Sequence, residues 1–259
     1  MARRSTEPMQ LGQHLRELRN RLAVSGAAVL VGAVAGWLLY DPVWRVLQSP
    51  VILAGSTDGR QTALNFTTIG AAFDLRIQLA IQLGLILSAP VWLWQAFAFI
   101  VPGLTRKEKR VTLAFVLTAV ALFVAGAGMG VWVLPHIVQV LTSFAPGQSS
   151  SLLSAGDYYD FVLKLVLATG VAFVLPVFLV LLNAVGLLRG RTILRGWRIA
   201  LLAIMVFAAI TTPAADVMSM FILAAPMVAL FYSAVVISLV ADRRRDRRLT
   251  ALSTEALTP

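Results

Sequence analysis

Two glutamates stand in cation-rich frames. Glu17 lies in His14-Leu15-Arg16-Glu17-Leu18-Arg19-Asn20-Arg21-Leu22, and Glu108 lies in Thr105-Arg106-Lys107-Glu108-Lys109-Arg110. A carboxylate matches the two parallel N–H groups of a guanidinium, so two carboxylates held at a fixed separation could select a pair of arginines. An ammonium lacks the planar fork, and paired lysines would fit worse. The local alternative is an ion pair within the segment. Glu17 with Arg21 has the i, i+4 spacing, which stabilises a helix by about 0.3–0.5 kcal/mol. Both readings stay open on these residues alone. Other chemistry is poorly supplied. The chain has no cysteine and two histidines, His14 and His136, so thiolate and histidine-based sites have little to build on. Neither G-x-S-x-G nor H-E-x-x-H occurs, and Gly147-Gln148-Ser149-Ser150-Ser151 reads as a polar loop, not a nucleophile elbow. No catalytic residue, cofactor or metal is expected.

The elements that must position these carboxylates are membrane helices. Of 259 residues, 59% are hydrophobic and 13% charged, and the mean hydropathy is +0.83. Soluble domains run about 45–50% apolar and about 25% charged, so a soluble enzyme and a disordered chain are both excluded. A bilayer core about 30 Å thick needs roughly 20 apolar residues per helix. Spans are expected at about 22–40, 77–101, 111–134, 161–188, 199–210 and 217–241. None has a charge at its centre, where one costs roughly 2.5–3.5 kcal/mol; Lys164 is placed within a turn of one end. The fifth span is short, about 18 Å at 1.5 Å per residue. With Thr211-Thr212-Pro213-Ala214-Ala215 it forms a tight hairpin to the sixth. An amphipathic helix at about 10–21 precedes the first span, with Leu11, Leu15, Leu18 and Leu22 on one face and Glu17 turned away from them. The first span starts too late to be a cleavable signal, and Arg3-Arg4 is read as a solvated basic end. Residues 1–241 form a single membrane domain, and 242–259 a disordered basic tail.

Charge placement sets the orientation. The segments before span one, between spans two and three, between spans four and five and after span six hold 18 of the 22 Lys and Arg residues. Both termini are therefore expected in the cytoplasm. The net charge of +10 is a topology signal aided by anionic lipid, rather than a sign of nucleic-acid binding. Pro90, Pro102, Pro176 and Pro226 stand in or beside spans. They would kink the helices into a curved, concave wall, although membrane helices also tolerate proline without one. No inverted repeat is visible, and Gln78, Gln82 and Asn183 are scattered. That disfavours the alternative, a small-solute transporter.

The chain resembles the TatC family, the six-span subunit of the Sec-independent twin-arginine translocase. His14 to Leu22 is similar to its H-L-x-E-L-R-x-R-L opening. Ser88-Ala89-Pro90, Gln95, and Phe97 through Pro102, Gly103 and Leu104 to Glu108 are similar to its P-x-x-x-x-Q-x-W/F-x-F-x-x-P-G-L-x-x-x-E-[RK]-R run. Thr212-Pro213-Ala214-Ala215-Asp216, followed by Pro226, and Gln48-Ser49-Pro50 also match, in order over about residues 10–241. The resemblance implies an all-α, multi-pass protein of the bacterial or archaeal cytoplasmic membrane. It implies binding of twin-arginine signal peptides, association with TatA- and TatB-type single-span partners and with further copies, and export of folded proteins driven by the proton-motive force. It assigns the signal peptide to Glu17, Glu108, Arg19, Gln95, Phe99 and Pro50. It gives Pro102, Gly103, Leu104, Asp216 and Met220 structural or partner-contact roles. Asp216, just after a turn, also reads as a helix N-cap. Three positions depart from the family pattern. Val174 and Tyr232 replace glutamates that many members carry, and Met220 stands where some have glutamine. A divergent or second copy with unusual partner preference is the expectation.

Overall fold

The computed structural model describes residues 11–57, 63–66, 68–100, 106–143, 152–212 and 217–255. In chain order these form α1 (Leu11–Leu38), α2 (Tyr40–Thr57), β1 (Ala63–Asn65), α3 (Ala71–Leu87), α4 (Ala89–Ile100) and α5 (Arg106–Ser143). There follow β2 (Leu152–Ser154), α6 (Ala155–Val185), α7 (Gly190–Arg195), α8 (Trp197–Thr211) and α9 (Val217–Glu255). α1, α5, α6 and α9 are each long and apolar enough to cross a bilayer, and α3 with α4 forms a fifth crossing bent by 54°. α8 is the short sixth pass. Six passes bring the ends of α1 and α9 to the same end of the bundle, called here the terminal end. The far end carries α2 and the strands, which pair in parallel with Ala63 opposite Leu152.

The break between α3 and α4 has a local cause. Pro90 has no N–H to continue the helical ladder. The missing donor would have served the Ile86 carbonyl; beside it, the carbonyl of Leu85 accepts from the Ser88 hydroxyl at 3.3 Å and from the Trp92 indole N–H at 2.9 Å. Ser88 N–H donates to the Gly84 carbonyl and closes α3. The second span, expected at 77–101 with a kink at Pro90, is thus two helices meeting at an angle.

Several boundaries differ from the sequence expectation. The amphipathic stretch at 10–21 is not a separate helix, because α1 runs unbroken from Leu11 into the membrane. Leu15, Leu18 and Leu22 stay exposed on it, an outward face suited to lipid. The segment after span one, where no element was expected, contains α2. Pro42 lies in its first turn, where a missing N–H costs no hydrogen bond. α5 runs through Pro135 to Ser143. α6 starts at Ala155, where Ser154 Oγ accepts from the Asp157 N–H, so Lys164 lies about 14 Å along the helix rather than within a turn of its start. There it pairs with Asp160 at 2.5 Å. α6 ends at Gly186, whose φ of 88° few other residues adopt. The tail expected to be disordered instead continues α9 to Glu255.

Packing concentrates on two helix pairs. α5 lies against α6, where Leu134, Ile137, Val162, Leu165 and Val166 are buried. α1 crosses α3 at very close range. A Cβ on Gly84 would lie 2.5 Å from the Ala33 nitrogen, and one on Gly32 would lie 2.6 Å from the Gly84 carbonyl oxygen. Small residues at such crossings let backbones approach where lipid supplies no hydrophobic drive. A second cluster joins α4, α5 and α6 through Leu93, Phe97, Ala119, Phe123, Val174 and Val177. Outside these contacts the helices expose Leu30, Val31 and Val34 on α1, and Ile199, Leu202 and Ile210 on α8. Such apolar surface is stable against acyl chains and not against water.

Candidate functional site

At the terminal end α4 leans across α1, and the bend at Ser88 is what directs it there. Arg21 on α1 joins the two helices. Its Nε and Nη2 donate to Glu17 Oε1 at 2.9 and 2.6 Å, and its Nη1 donates to Gln95 Oε1 on α4 at 3.1 Å. The Arg21 and Glu17 side chains are 24% and 26% exposed, so the pair is partly shielded from water and salt. Among the described residues nothing donates to Glu17 Oε2, and Gln95 Nε2 finds no acceptor. Both residues line a groove of about 420 Å³, together with Arg16, Asn20, Arg21 and Val24. That size lies within the roughly 300–1,000 Å³ usual for ligand clefts.

This arrangement merges the two sequence readings of Glu17. The local ion pair with Arg21 forms, and it consumes one carboxylate oxygen. The other remains available to an incoming donor. Arg21 also supplies positive potential at the groove wall, so a cationic ligand entering here meets both an acceptor and a competitor.

The remaining expected residues fall as follows. Arg19 is exposed on α1 near Glu17, and Phe99 is half-buried on α4 beyond Gln95. Glu108 lies in the first turn of α5, at the terminal end like Glu17, but its side chain falls outside the described residues. Pro102, Gly103, Leu104 and Asp216 lie wholly outside them. Pro50 lies within α2 at the far end, and its side chain is not described. The structure therefore brings Glu17 and Gln95 together and sets Pro50 at the opposite end from them. Met220 is half-buried on α9 and packs against the main core cluster. Val174 is buried, 8% exposed, among Leu93, Phe97 and Phe123. Tyr232 is exposed beside Phe231.

Sequence reasoning named Arg21 only as a local partner for Glu17, not as a bridge to Gln95. The i, i+4 spacing gave the first contact. The second joins residues 74 apart and depends on the bend, for which Ser88-Ala89-Pro90 was the available signal. The polar residues of the spans prove to be separate local devices rather than one pathway. Gln78 donates to Asp160 at 3.0 Å towards the far end. Asn183 donates to Asp242 at 2.9 Å at the terminal end.

The far end is held by aromatic rings. Trp44 on α2 stacks on Tyr159 of α6 at 4.5 Å, with Tyr40 and Phe66 stacked nearby. The Arg76 guanidinium lies 4.7 and 4.8 Å from the rings of Trp37 and Tyr40. Tyr158 donates to the Leu47 carbonyl at 2.8 Å. These contacts fix α2 on the bundle.

Known proteins resemble this chain along most of its length. The family model described as TatC, Sec-independent protein translocase protein, matches residues 13–226. A Sec-independent protein translocase protein TatC of Xylanimonas cellulosilytica is 48% identical over 240 residues, covering 93% of this chain and 87% of that protein. One of Rothia mucilaginosa is 37% identical over 246 residues, covering 95% and 84%. A crystal structure of a twin-arginine translocase receptor, TatC, in the detergent DDM superposes with a TM-score of 0.74 at 30% identity, covering 87% of this chain and 99% of that one.

Proposed function

The chain belongs to the TatC family of Sec-independent protein translocase proteins, multi-span proteins of the bacterial cytoplasmic membrane, and from this we propose that it is the signal-peptide receptor subunit of a twin-arginine translocase. The terminal end faces the cytoplasm, in accord with the arginine and lysine bias of its segments. Twin-arginine signal peptides dock there, one guanidinium on Glu17 and the other on Glu108, with Gln95, Arg19 and Phe99 shaping the approach. TatA- and TatB-type single-span proteins and further copies of this chain complete the complex, and the proton-motive force drives export of folded cargo. The chain performs no covalent chemistry. Asp216, Met220, Pro102, Gly103 and Leu104 take structural or partner-contact roles. The observation that carries the reading is the half-engaged Glu17 carboxylate, with Arg21 on one oxygen, in the wall of a groove that Gln95 also lines.

The test is photo-crosslinking of the chain in nanodiscs to signal peptides carrying Arg-Arg or Lys-Lys. Labelling near Glu17 and Glu108 with Arg-Arg alone is the expected result. Equal labelling by both peptides, or none, overturns the assignment of this groove.

A further inference from the structure

A second polar cleft opens at the terminal end, sharing no residue with the groove at Glu17. Its frame is Asp242, on the part of α9 beyond the span expected to end at 241. Asp242 Oδ1 accepts from Asn183 Nδ2 at 2.9 Å, and Oδ2 accepts from the Gly190 backbone N–H at 2.6 Å. Arg245 donates to the Ala184 carbonyl at 2.8 Å. These bonds pin α9 beside the turn from α6 to α7 and occupy the Asp242 carboxylate. The cleft between them, about 370 Å³, is lined by Arg189, Arg191, Arg243 and Arg245 together with Asp242 and Asp246. Asp246 is itself partnered. Arg189, Arg191 and Arg243 are exposed, and their side chains have no hydrogen-bond or ion-pair partner among the described residues. A shallower cleft adjoins through Arg191 and adds Arg195 and Arg198 around Trp197, with the Arg198 guanidinium 5.6 Å from the indole ring.

Unpaired arginines converging on one concavity repel one another, and an anion among them relieves that repulsion. The surroundings indicate which anion. Leu187 and Ile199 beside the cleft are 65% and 74% exposed, and Trp197 is of the type that settles at the headgroup level. α8, which leaves from this point, has 15 residues. It is about 22 Å long against a hydrocarbon core of about 30 Å. Thinning of the bilayer is one way to accommodate so short a span, and it draws headgroups inward around it.

We propose that this arginine cleft binds the phosphate of an anionic phospholipid, holding the headgroup beside α8 while the acyl chains lie along its exposed apolar face. The site is independent of signal-peptide recognition and stands or falls separately from it.

Native mass spectrometry of the full chain, in micelles doped with phosphatidylglycerol or phosphatidylcholine, tests the site. More phosphatidylglycerol than phosphatidylcholine should remain bound. The variant Arg189→Gln/Arg191→Gln/Arg243→Gln should retain phosphatidylglycerol at least ten-fold more weakly, given about five-fold per arginine near an anionic surface. Arg244→Gln/Arg247→Gln, which removes two charges of α9 outside the cleft, should retain it like the parent. Equal retention of the two lipids, an unaffected triple variant, or equal losses in both variants overturns the proposal. Displacement of the lipid by millimolar inorganic phosphate would make the cleft a soluble-phosphate site and also overturn it. The altered residues are exposed, and an unchanged helical circular-dichroism spectrum confirms that each variant is folded.

Discussion

Arg21 directs two of its N–H groups at one oxygen of Glu17, Oε1, while nothing among the described residues donates to Oε2. The carboxylate is thus oriented before any ligand arrives, which lowers the entropy lost on binding. Glu17→Gln keeps the shape and removes the charge. A hydrogen bond to a charged group is worth roughly 1.5–3 kcal/mol, so affinity for an Arg-Arg signal peptide should fall about ten- to hundred-fold. Affinity for a Lys-Lys peptide should change much less. Titration calorimetry with both peptides checks this, and the Arg-Arg preference should also shrink as salt is raised.

Gln95 gives Arg21 its second anchor, 3.1 Å away on α4. Arg21→Lys retains the charge, but an ammonium cannot serve Glu17 twice and Gln95 once with the same fork. Peptide affinity should therefore drop several-fold in Arg21→Lys and in Gln95→Ala. The double variant should lose clearly less than the two effects combined, because both act on one network. Additive losses in the double-mutant cycle would show that Gln95 acts on the peptide directly.

The passes across the membrane were legible because a long apolar run has one physical meaning. The site was legible only in part. Glu17 and Gln95 could be named, yet their joining depends on a 54° bend whose angle no residue type encodes. Ser88-Ala89-Pro90 marks the place of the bend without its direction. α2 was not among the expected elements, and its stability comes from tertiary contacts such as Trp44 on Tyr159. The expected end of span three near 134 failed for a related reason. Pro135 is accommodated inside α5 while Leu134 and Ile137 on either side of it are fully buried. Packing outweighs the one hydrogen bond that proline forfeits.

Gly84 is where α1 and α3 touch. A methyl group there meets the Ala33 nitrogen at 2.5 Å and the Val29 carbonyl oxygen at 2.7 Å. Both are backbone atoms and cannot rotate away. Gly84→Ala must push α1 from α3, with an overpacking cost of about 1–3 kcal/mol or more. The shift also moves Arg21 relative to Gln95. A lower thermal unfolding midpoint in detergent is expected, together with weaker peptide binding. Gly128→Ala on α5, where an added Cβ meets nothing within 4 Å, should change neither.

Val174 tests the family comparison against the packing of this chain. Many relatives were expected to carry a glutamate here, and a groove-facing position would accept one. Instead Val174 is 8% exposed, enclosed by Leu93 and Phe97 of α4 and Phe123 of α5. Trp92 packs against the same cluster, edge-on to Phe123 at 5.5 Å, and its indole N–H is already given to the Leu85 carbonyl. A carboxylate placed there would lose its hydration without gaining a partner, which costs several kcal/mol or forces the group to protonate. Val174→Glu should therefore reduce folded protein in the membrane sharply at pH 7. Val174→Leu, which adds one methylene, should cost no more than about 1–3 kcal/mol. Fluorescence-detected size-exclusion chromatography of the two variants reads this directly. Parent-like yield and monodispersity of Val174→Glu would mean that α4 and α6 part readily enough to hydrate the site. The 174 position would then be a latent groove rather than core.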